Sequence, residues 1–220
     1  MATGPTLGNG GIVYYTDANA NATLDAGERA VVYSPTTQHY YELINAGAPL
    51  GWDAATQSAG ARGGHLLTGE AAGEVEFVRT TFSYAAGSLA PTYGGLQVTE
   101  GDGTLGAWIG LAAAAGPAAS VADGVWSWVK TDGSVGGTAL AAGAPWLVHF
   151  TFANPSGNDD TGQLRAAMTG GSDLPTDGTP GTAPDPRPEQ CLYDLQAGQL
   201  VPSRYIVEYE STAAVTSVIR

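Results

Sequence analysis

The chain has 220 residues, 43% of them hydrophobic, which is enough to bury a core and fold without covalent cross-links. Its 21 acidic residues against 8 basic ones give a formal net charge of −13, which disfavours nucleic acid and anionic membrane surfaces as partners. The single cysteine, Cys191, excludes an intrachain disulfide and a cysteine-based zinc site. No apolar run is long enough to span a membrane, and residues 1–11 lack a signal-peptide pattern.

The first third of the chain alternates strand-like and polar segments. Segments rich in β-branched and aromatic side chains are predicted strands, at residues 11–15, 30–33 and 39–44. The alanine-rich segment 52–61 is followed by Gly63 and Gly64, and glycine at this position is a typical helix stop. We therefore predict a first helix over residues 52–61.

A second helix is predicted after a short strand at residues 65–67, with Thr68 as its cap. Four apolar side chains fall on one face of it at helical spacing: Ala71, Val75, Val78 and Phe82. Farther along, short apolar segments separated by glycine predict strands at residues 107–111, 125–129, 146–152 and 205–209. Residues 170–188, with five prolines, are predicted to be a long loop inserted between strands of one domain.

The clearest chemical motif is the segment DANANATLDAGE at residues 17–28, which follows the pattern of a twelve-residue calcium loop. Its ligand positions are occupied by Asp17, Asn19, Asn21, Thr23, Asp25 and Glu28. Alternate residues of a short loop can turn oxygen atoms toward one hard cation, with Thr23 giving its backbone carbonyl and Glu28 two oxygens. Ala22 stands where the motif prefers glycine, because that turn often needs a backbone conformation that a Cβ makes costly.

A second interpretation of this segment is an ordinary turn, because Asp and Asn side chains also bond to their own backbone. Agreement at six positions favours calcium. The flanking segments are strand-like rather than helical, so we expect the loop to bridge a hairpin or cap a sheet edge, in a structural role. With only three carboxylates, the affinity expected is the weak one of extracellular calcium modules.

Several segments, taken in chain order, resemble the C-type lectin-like domain. They are HYYELI at 39–44, WDAA at 52–55, GGHLLT at 63–68, the second helix with Glu74, AWIGL at 107–111, VWSW at 125–128 and YIVEYE at 205–210. The resemblance implies an α+β fold, with two helices packed around small antiparallel sheets and a long loop region that does the binding. It divides the chain into an N-terminal extension with the calcium loop (1–34), a lectin-like domain (35–210) and a C-terminal tail (211–220).

The resemblance also implies a ligand or second calcium site in the long loop region. The matching residues here are Asn154, Ser156, Asp159, Asp160 and Asp194. The sequence departs from the family pattern, because Asn154 and Ser156 replace the usual glutamate and asparagine and Tyr193 stands where an amide is expected. These changes lower the charge and the number of oxygens available to calcium. The two adjacent aspartates fit a calcium role or a solvated loop equally well.

The remaining polar and aromatic residues give no sign of an enzyme. His39, His65 and His149 share no ligand spacing, so we expect hydrogen-bonded sheet histidines. Trp108 and Trp126 lie in apolar strands and are expected in the core. The sequence has no serine elbow, no phosphate-binding glycine loop and no pair of carboxylates placed by a motif.

Two functions are expected. The first is a calcium-binding recognition or adhesion module for carbohydrate or another surface ligand. The second is a structural or assembly subunit, such as a phage decoration or receptor-binding protein or an extracellular fibre component, in which the β-prone tail at 215–220 pairs with a neighbour's sheet edge. A third interpretation, a diversified ligand-display protein, would need a variable C-terminal segment.

The expected cofactor is Ca²⁺. The expected partners are a surface ligand or other copies of the chain, without membrane insertion. The expected location is extracellular or on a virion.

Overall fold

The computed structural model describes residues 1–82, 89, 96, 98–99, 104–113, 126–134, 136–139, 147–148, 164–168, 192–196 and 202–216. The strands in these ranges are β1 (Ala2–Thr6), β2 (Ile12–Tyr15), β3 (Ala30–Tyr33), β4 (Tyr40–Asn45), β5 (His65–Leu66), β6 (Val98–Thr99), β7 (Thr104–Leu105), β8 (Ala107–Ala113), β9 (Trp126–Trp128), β10 (Leu147–Val148), β11 (Leu164–Met168), β12 (Leu192–Gln196) and β13 (Arg204–Tyr209). The helices are α1 (Trp52–Ala61), α2 (Glu74–Phe82) and α3 (Thr212–Thr216).

One large sheet dominates the described chain. Nine strands follow a single path in the order β1-β2-β3-β4-β13-β8-β11-β12-β10, and β5 and β9 pair with β13 and β8 beside it. Most pairs are antiparallel, whereas β13 with β8 and β10 with β12 are parallel. The strands β6 and β7 form a separate two-stranded sheet.

The predicted fold class, an α+β lectin-like fold with two helices and small antiparallel sheets, is wrong. The chain instead forms an 11-stranded mixed sheet with three short helices of 10, 9 and 5 residues among its described residues. The strand motifs identify local elements correctly but do not specify which strand edges meet, and three strands of the sheet, β1, β11 and β12, were not predicted. Their addition makes the protein richer in sheet than the resemblance implied.

The helix α1 confirms the first predicted helix, and its residues explain both its buried face and its end. Trp52, Ala55 and Ala59 are buried, at a spacing that places them on one side of a helix. The helix stops where Gly63 takes a φ of 80°, a conformation that glycine adopts at little cost. The Gly64 N–H then bonds to the carbonyl of Ala59 at 3.2 Å, which satisfies a carbonyl at the helix end.

The other two helices correct two local predictions. Thr68 does not cap α2, because its N–H and hydroxyl both donate to Glu208, and the helix begins six residues later. The Glu74 side chain instead reaches back and accepts the N–H of Ala71 at 3.0 Å, which fixes the turn just before the helix. Val215, expected in a β-prone tail, is buried within the short helix α3, so the predicted strand-forming tail is wrong at that residue.

Both faces of the sheet are covered by apolar side chains. On one face, Tyr41, Leu43 and Ile206 pack with Val78 and Phe82 of α2. On the other face, alternate residues of β4 and β13 pack with the buried side of α1 and with Val215 of α3. Burial on both faces explains why β13 is buried along its whole length.

The predicted packing of two tryptophans is confirmed. Trp108 and Trp126 each expose only 4% of their surface and lie in the core clusters on opposite faces of the sheet. The indole N–H of Trp108 donates to the carbonyl of Leu50 at 2.7 Å. In the part of the chain that the structure describes, we find no helix with the length and apolar character that crossing a bilayer requires.

Candidate functional site

Residues 17–28 form the connection of a β-hairpin. The strands β2 and β3 pair antiparallel up to Tyr15 and Ala30, and the Thr16 N–H bonds to the Arg29 carbonyl at 2.9 Å just beyond the last pair. Leu24, in the middle of the connection, is partly buried and packs against the core. The strand-like flanks expected from the sequence are therefore confirmed, and the loop has fixed ends and an apolar anchor.

In the first half of the loop, side-chain oxygens bond to backbone N–H groups. Asp17 accepts the N–H of Asn21 at 3.0 Å and that of Ala22 at 2.9 Å. The Asn19 side-chain oxygen accepts the Asn21 N–H at 3.1 Å, and the Asn21 oxygen accepts the Thr23 N–H at 2.8 Å. These bonds fold the chain tightly around its own polar side chains.

The second half of the loop closes on the first. One carboxylate oxygen of Asp25 accepts the side-chain amides of Asn19 at 2.8 Å and Asn21 at 2.7 Å. Glu28 uses its two oxygens separately, accepting the N–H of Ala18 at 2.8 Å and that of Asp25 at 2.9 Å. The side chains of five of the six predicted calcium ligands thus share one hydrogen-bond network, which the sixth, Thr23, joins through its N–H.

The backbone of this loop is strained at two alanines. Ala20 has a φ of 56° and Ala22 a φ of 58°, in the left-handed region that costs a residue with a Cβ roughly 1–2 kcal/mol. Ala22 is the position at which the calcium-loop pattern prefers glycine. The loop adopts this conformation with alanine because Asp17 bonds to the Ala22 N–H.

The loop also concentrates negative charge beside the sheet. Burial, and then the negative charges of Asp17, Glu28 and Asp25, raise the pKa of Tyr15, which ends strand β2. A carboxylate field of this kind favours a bound cation. The sixth predicted ligand, Thr23, was expected to contribute its backbone carbonyl rather than its side chain.

The second predicted site lies almost wholly outside the described residues. Asn154, Ser156, Asp159 and Asp160 fall outside the described ranges, as do Cys191 and His149. Asp194 lies in β12, where it pairs with Ala166 of β11. The resemblance remains the sole basis for this site.

A second cluster of charged residues, which the sequence analysis missed, joins α2 to the sheet. His39 Nδ1, just before β4, donates to Glu208 of β13 at 2.6 Å and lies 3.4 Å from Glu74 of α2. Both glutamates expose only 1% of their surface. Among the described residues, these three are the one set of His, Cys, Asp or Glu side chains with ligand-type atoms all within 4.8 Å of one another. The set is not specific to calcium, and its atoms already hydrogen-bond within the cluster.

Neighbouring hydroxyl and N–H groups complete the hydrogen bonds of the two carboxylates. Tyr41 donates its hydroxyl to Glu74 at 2.5 Å and accepts one from Thr37 at 2.8 Å. Thr68 donates its N–H at 2.8 Å and its hydroxyl at 2.9 Å to Glu208. The two glutamates therefore face each other across a closed network of donors.

The cluster shifts the proton affinities of its members in opposite directions. The hydrogen bond to Glu208 raises the pKa of His39 to about 9, against the effect of burial. Burial and the charge of Glu208 raise the pKa of Glu74 to about 7. Burial would also raise the pKa of Glu208, but the bond from His39 and the charge of His65 hold it below its usual value.

A third buried carboxylate lies on the opposite face of the sheet. Glu42, in β4, binds both the Nε and Nη2 atoms of Arg29 and accepts the Tyr209 hydroxyl at 2.6 Å. Arg62 approaches Glu42 to 3.7 Å. Burial would lower the pKa of Arg29, but the hydrogen bond and the charge of Glu42 raise it. The charges of Glu42 and Arg29 thus compensate each other within the protein.

The sequence does contain a signal for these buried carboxylates. Glu42 and Glu208 each stand among apolar and aromatic residues in buried strand segments, YYELI at 40–44 and YIVEY at 205–209. Charged side chains in such strands are rarely left without partners. Their partners lie far away in sequence, so the pattern alone could not name them.

No protein-family model matches the chain, and a search of curated proteins finds no match.

Proposed function

We propose that this protein is a calcium-binding recognition module whose calcium site is the loop of residues 17–28. The observation that carries the proposal is the single hydrogen-bond network joining five predicted ligands: Asp17, Asn19, Asn21, Asp25 and Glu28. Ala22 is held in a left-handed conformation at the position where calcium loops prefer glycine. An ordinary turn does not require the closure by Glu28, which accepts the N–H of Ala18 ten residues away.

The residues of the loop fit a hard cation by their chemistry. Asp17, Asp25 and Glu28 supply carboxylate oxygens, and Asn19 and Asn21 supply amide oxygens, which are the donors that calcium prefers. Bound calcium would neutralise the repulsion among the three carboxylates. Its effect would be to stiffen the β2–β3 hairpin, so the role we propose for it is structural.

Calorimetric titration of the chelator-treated chain with calcium tests this proposal. We expect one site with a Kd of about 10⁻⁴–10⁻³ M, the range of extracellular modules. The variant Glu28→Gln should weaken binding by more than about tenfold, because a two-oxygen charged ligand is lost. The matched control Glu76→Gln removes a charge from an exposed residue of α2 and should bind like the unmodified chain. The proposal fails if calcium does not bind the unmodified chain, or if it binds Glu28→Gln and Glu76→Gln with equal affinity.

The proposed recognition function follows from the resemblance of the sequence to the C-type lectin-like domain. The ligand we propose is a carbohydrate or another surface ligand, in an extracellular or virion setting where calcium is abundant enough for a weak site. A glycan array probed with and without calcium tests it. Calcium-dependent binding to any glycan class would support the proposal, and equal signals with calcium and with chelator would contradict the calcium-dependent version.

An assembly subunit is the second candidate, and the sheet order favours it. The strand β1 ends the path of the sheet and pairs with β2 alone among the described strands. An open strand edge offers N–H and C=O groups to a neighbouring chain. Light scattering at high protein concentration tests this candidate, because a strict monomer with and without calcium would exclude self-assembly.

A further inference from the structure

The cluster of His39, Glu74 and Glu208 contains two buried carboxylates and a single imidazole. The side chain of His39 is 27% exposed, whereas both glutamates are 1% exposed. Two negative charges in so little water are unfavourable unless a proton or a cation compensates them. Arg29, just before β3, and Arg62, at the end of α1, contact a different carboxylate, Glu42, on the opposite face of the sheet.

The groups that face this cluster come from each element packed around it. Tyr41 of β4 donates to Glu74, and Thr68, after β5, donates twice to Glu208. His65 Nδ1 of β5 bonds to the Leu66 carbonyl and lies 3.9 Å from Glu208. Its Nε2 lies 3.4 Å from Glu210, which is about half exposed. His39 is therefore the imidazole that bridges the two buried carboxylates directly.

We propose that His39, Glu74 and Glu208 form a proton-controlled clamp, which fixes the start of α2 to β4 and β13 while it holds two protons and loosens as they are lost. One proton lies on His39 and the other on Glu74. Loss of the proton from Glu74 leaves two adjacent carboxylates with one imidazolium. Loss of the proton from His39 then leaves two charges with no cation between them, and their repulsion separates the helix from the sheet.

The direction of the pH effect follows from the raised pKa values. His39, with its pKa raised from 6.5 to about 9, contributes stability that is complete below pH 6.5 and lost as pH rises through 9. Glu74, with its pKa raised from 4.5 to about 7, favours the folded state most below pH 4.5 and loses that advantage as pH rises through 7. The lowered pKa of Glu208 acts in the opposite direction, but only in acid, below its usual pKa of 4.5.

Local hydrogen bonds provide a direct measurement of the clamp. The Ala71 N–H donates to Glu74 and the Thr68 N–H donates to Glu208, so their exchange with solvent reports whether the start of α2 is fixed. None of these groups belongs to the loop at 17–28. The measurement can therefore be made in chelator, and the clamp and the calcium proposal can fail separately.

The experiment measures hydrogen exchange of the whole chain in chelator, at constant ionic strength, near pH 6 and pH 8. We expect the protection factors of Thr68 and Ala71, corrected for intrinsic exchange, to fall by about tenfold as Glu74 ionises. In Glu74→Gln, which cannot ionise at that position, the fall should be less than about threefold. The control Glu76→Gln, an equal change of charge on the same helix, should behave like the unmodified chain.

A second measurement covers the case in which Glu74→Gln does not fold. Nitrogen chemical shifts of His39 in the unmodified chain should titrate near pH 9, and a midpoint near 6.5 would overturn the proposal. Protection that does not change with pH would also overturn it. So would an equal fall in Glu74→Gln and the unmodified chain, or a pH effect that appears only when calcium is added.

Discussion

At the scale of single residues, three buried glutamates are accommodated in different ways. Glu42 is paired with a guanidinium, Glu208 with an imidazole and two donors from Thr68, and Glu74 with a tyrosine hydroxyl and, near neutral pH, its own proton. A buried carboxylate is costly without such partners. The different partners give each glutamate a different response to substitution and to pH.

The substitution Glu42→Gln should lower the free energy of unfolding by about 2–3 kcal/mol. It removes the negative charge that faces Arg29 and weakens the bond from Tyr209, and breaking one side of a buried pair usually costs about 3–5 kcal/mol. We expect less than that range because the Arg29 side chain is 28% exposed and water can solvate it. Urea unfolding measures the change.

The matched comparison for this prediction is an exposed pair. Glu76 pairs with Arg79 at 2.7 Å on α2, and its side chain is 55% exposed. Glu76→Gln should therefore cost less than about 0.5 kcal/mol. Equal losses from Glu42→Gln and Glu76→Gln would show that burial of the Glu42 pair contributes nothing.

At the scale of elements, two glycines should respond to alanine in opposite directions. A Cβ on Gly110, in β8, would lie 2.6 Å from Val129 and 2.8 Å from the Leu66 carbonyl, whereas one on Gly60, in α1, meets nothing within 4 Å. Gly110→Ala should cost more than about 2 kcal/mol through overpacking. Gly60→Ala should add about 0.5–1 kcal/mol, because glycine weakens a helix. Thermal unfolding of both variants tests whether Gly110→Ala lowers the stability and Gly60→Ala raises it.

The loop at 17–28 gives a second element-scale prediction. Ala22→Gly removes the cost of a left-handed alanine, so it should leave the free energy of unfolding unchanged or raise it by up to about 1 kcal/mol, and it should tighten calcium binding. Ala18→Gly, at a residue without a positive φ, should lower stability by about 0.4–1 kcal/mol, because it only frees the unfolded chain. Calorimetry with calcium and urea unfolding measure both effects. If Ala22→Gly and Ala18→Gly change the free energy of unfolding and the calcium affinity equally, Ala22 is not strained.

The sequence predicts those elements and sites whose signals are local. The helix α1 is specified by a buried face and a glycine stop, so it could be read directly. The twelve consecutive residues at 17–28 likewise predict a calcium site from a local signal, and that site stays a prediction. The clamp could not be read in this way, because His39 lies 35 residues from Glu74 and 169 from Glu208. The strand pairings of the sheet depend on similarly distant contacts, which is why the predicted fold class failed while several of its strands were placed correctly.

At the scale of the whole molecule, β13 is the strand that organises the described sheet. It pairs with β4 over six residues, with β5, and with β8 in parallel. Because β13 lies near the end of the chain and β4 near its beginning, the sheet closes only through contacts of long sequence separation. Such contacts make folding slow relative to helical proteins of the same size.

The net charge of −13 must be separated from any specific effect of calcium on stability. A strongly acidic chain repels itself, so any salt should stabilise it by screening. Calcium bound at a site stabilises the folded state by a further amount, about 2.7 kcal/mol when the calcium concentration is one hundred times the Kd. For a domain of this size that corresponds to a rise in Tm of about 5–10 °C.

Thermal scans with calcium and with sodium chloride at equal ionic strength therefore separate the two effects. We expect sodium chloride to raise the Tm of the unmodified chain, of Glu28→Gln and of Glu76→Gln by similar amounts, because screening depends on the total charge. The additional rise with calcium should fall to about half or less in Glu28→Gln, since that variant loses a ligand, and should be unchanged in Glu76→Gln, which loses only a surface charge. If calcium and sodium chloride raise the Tm equally at the same ionic strength, the loop binds no calcium and the network of residues 17–28 is a turn that holds itself together.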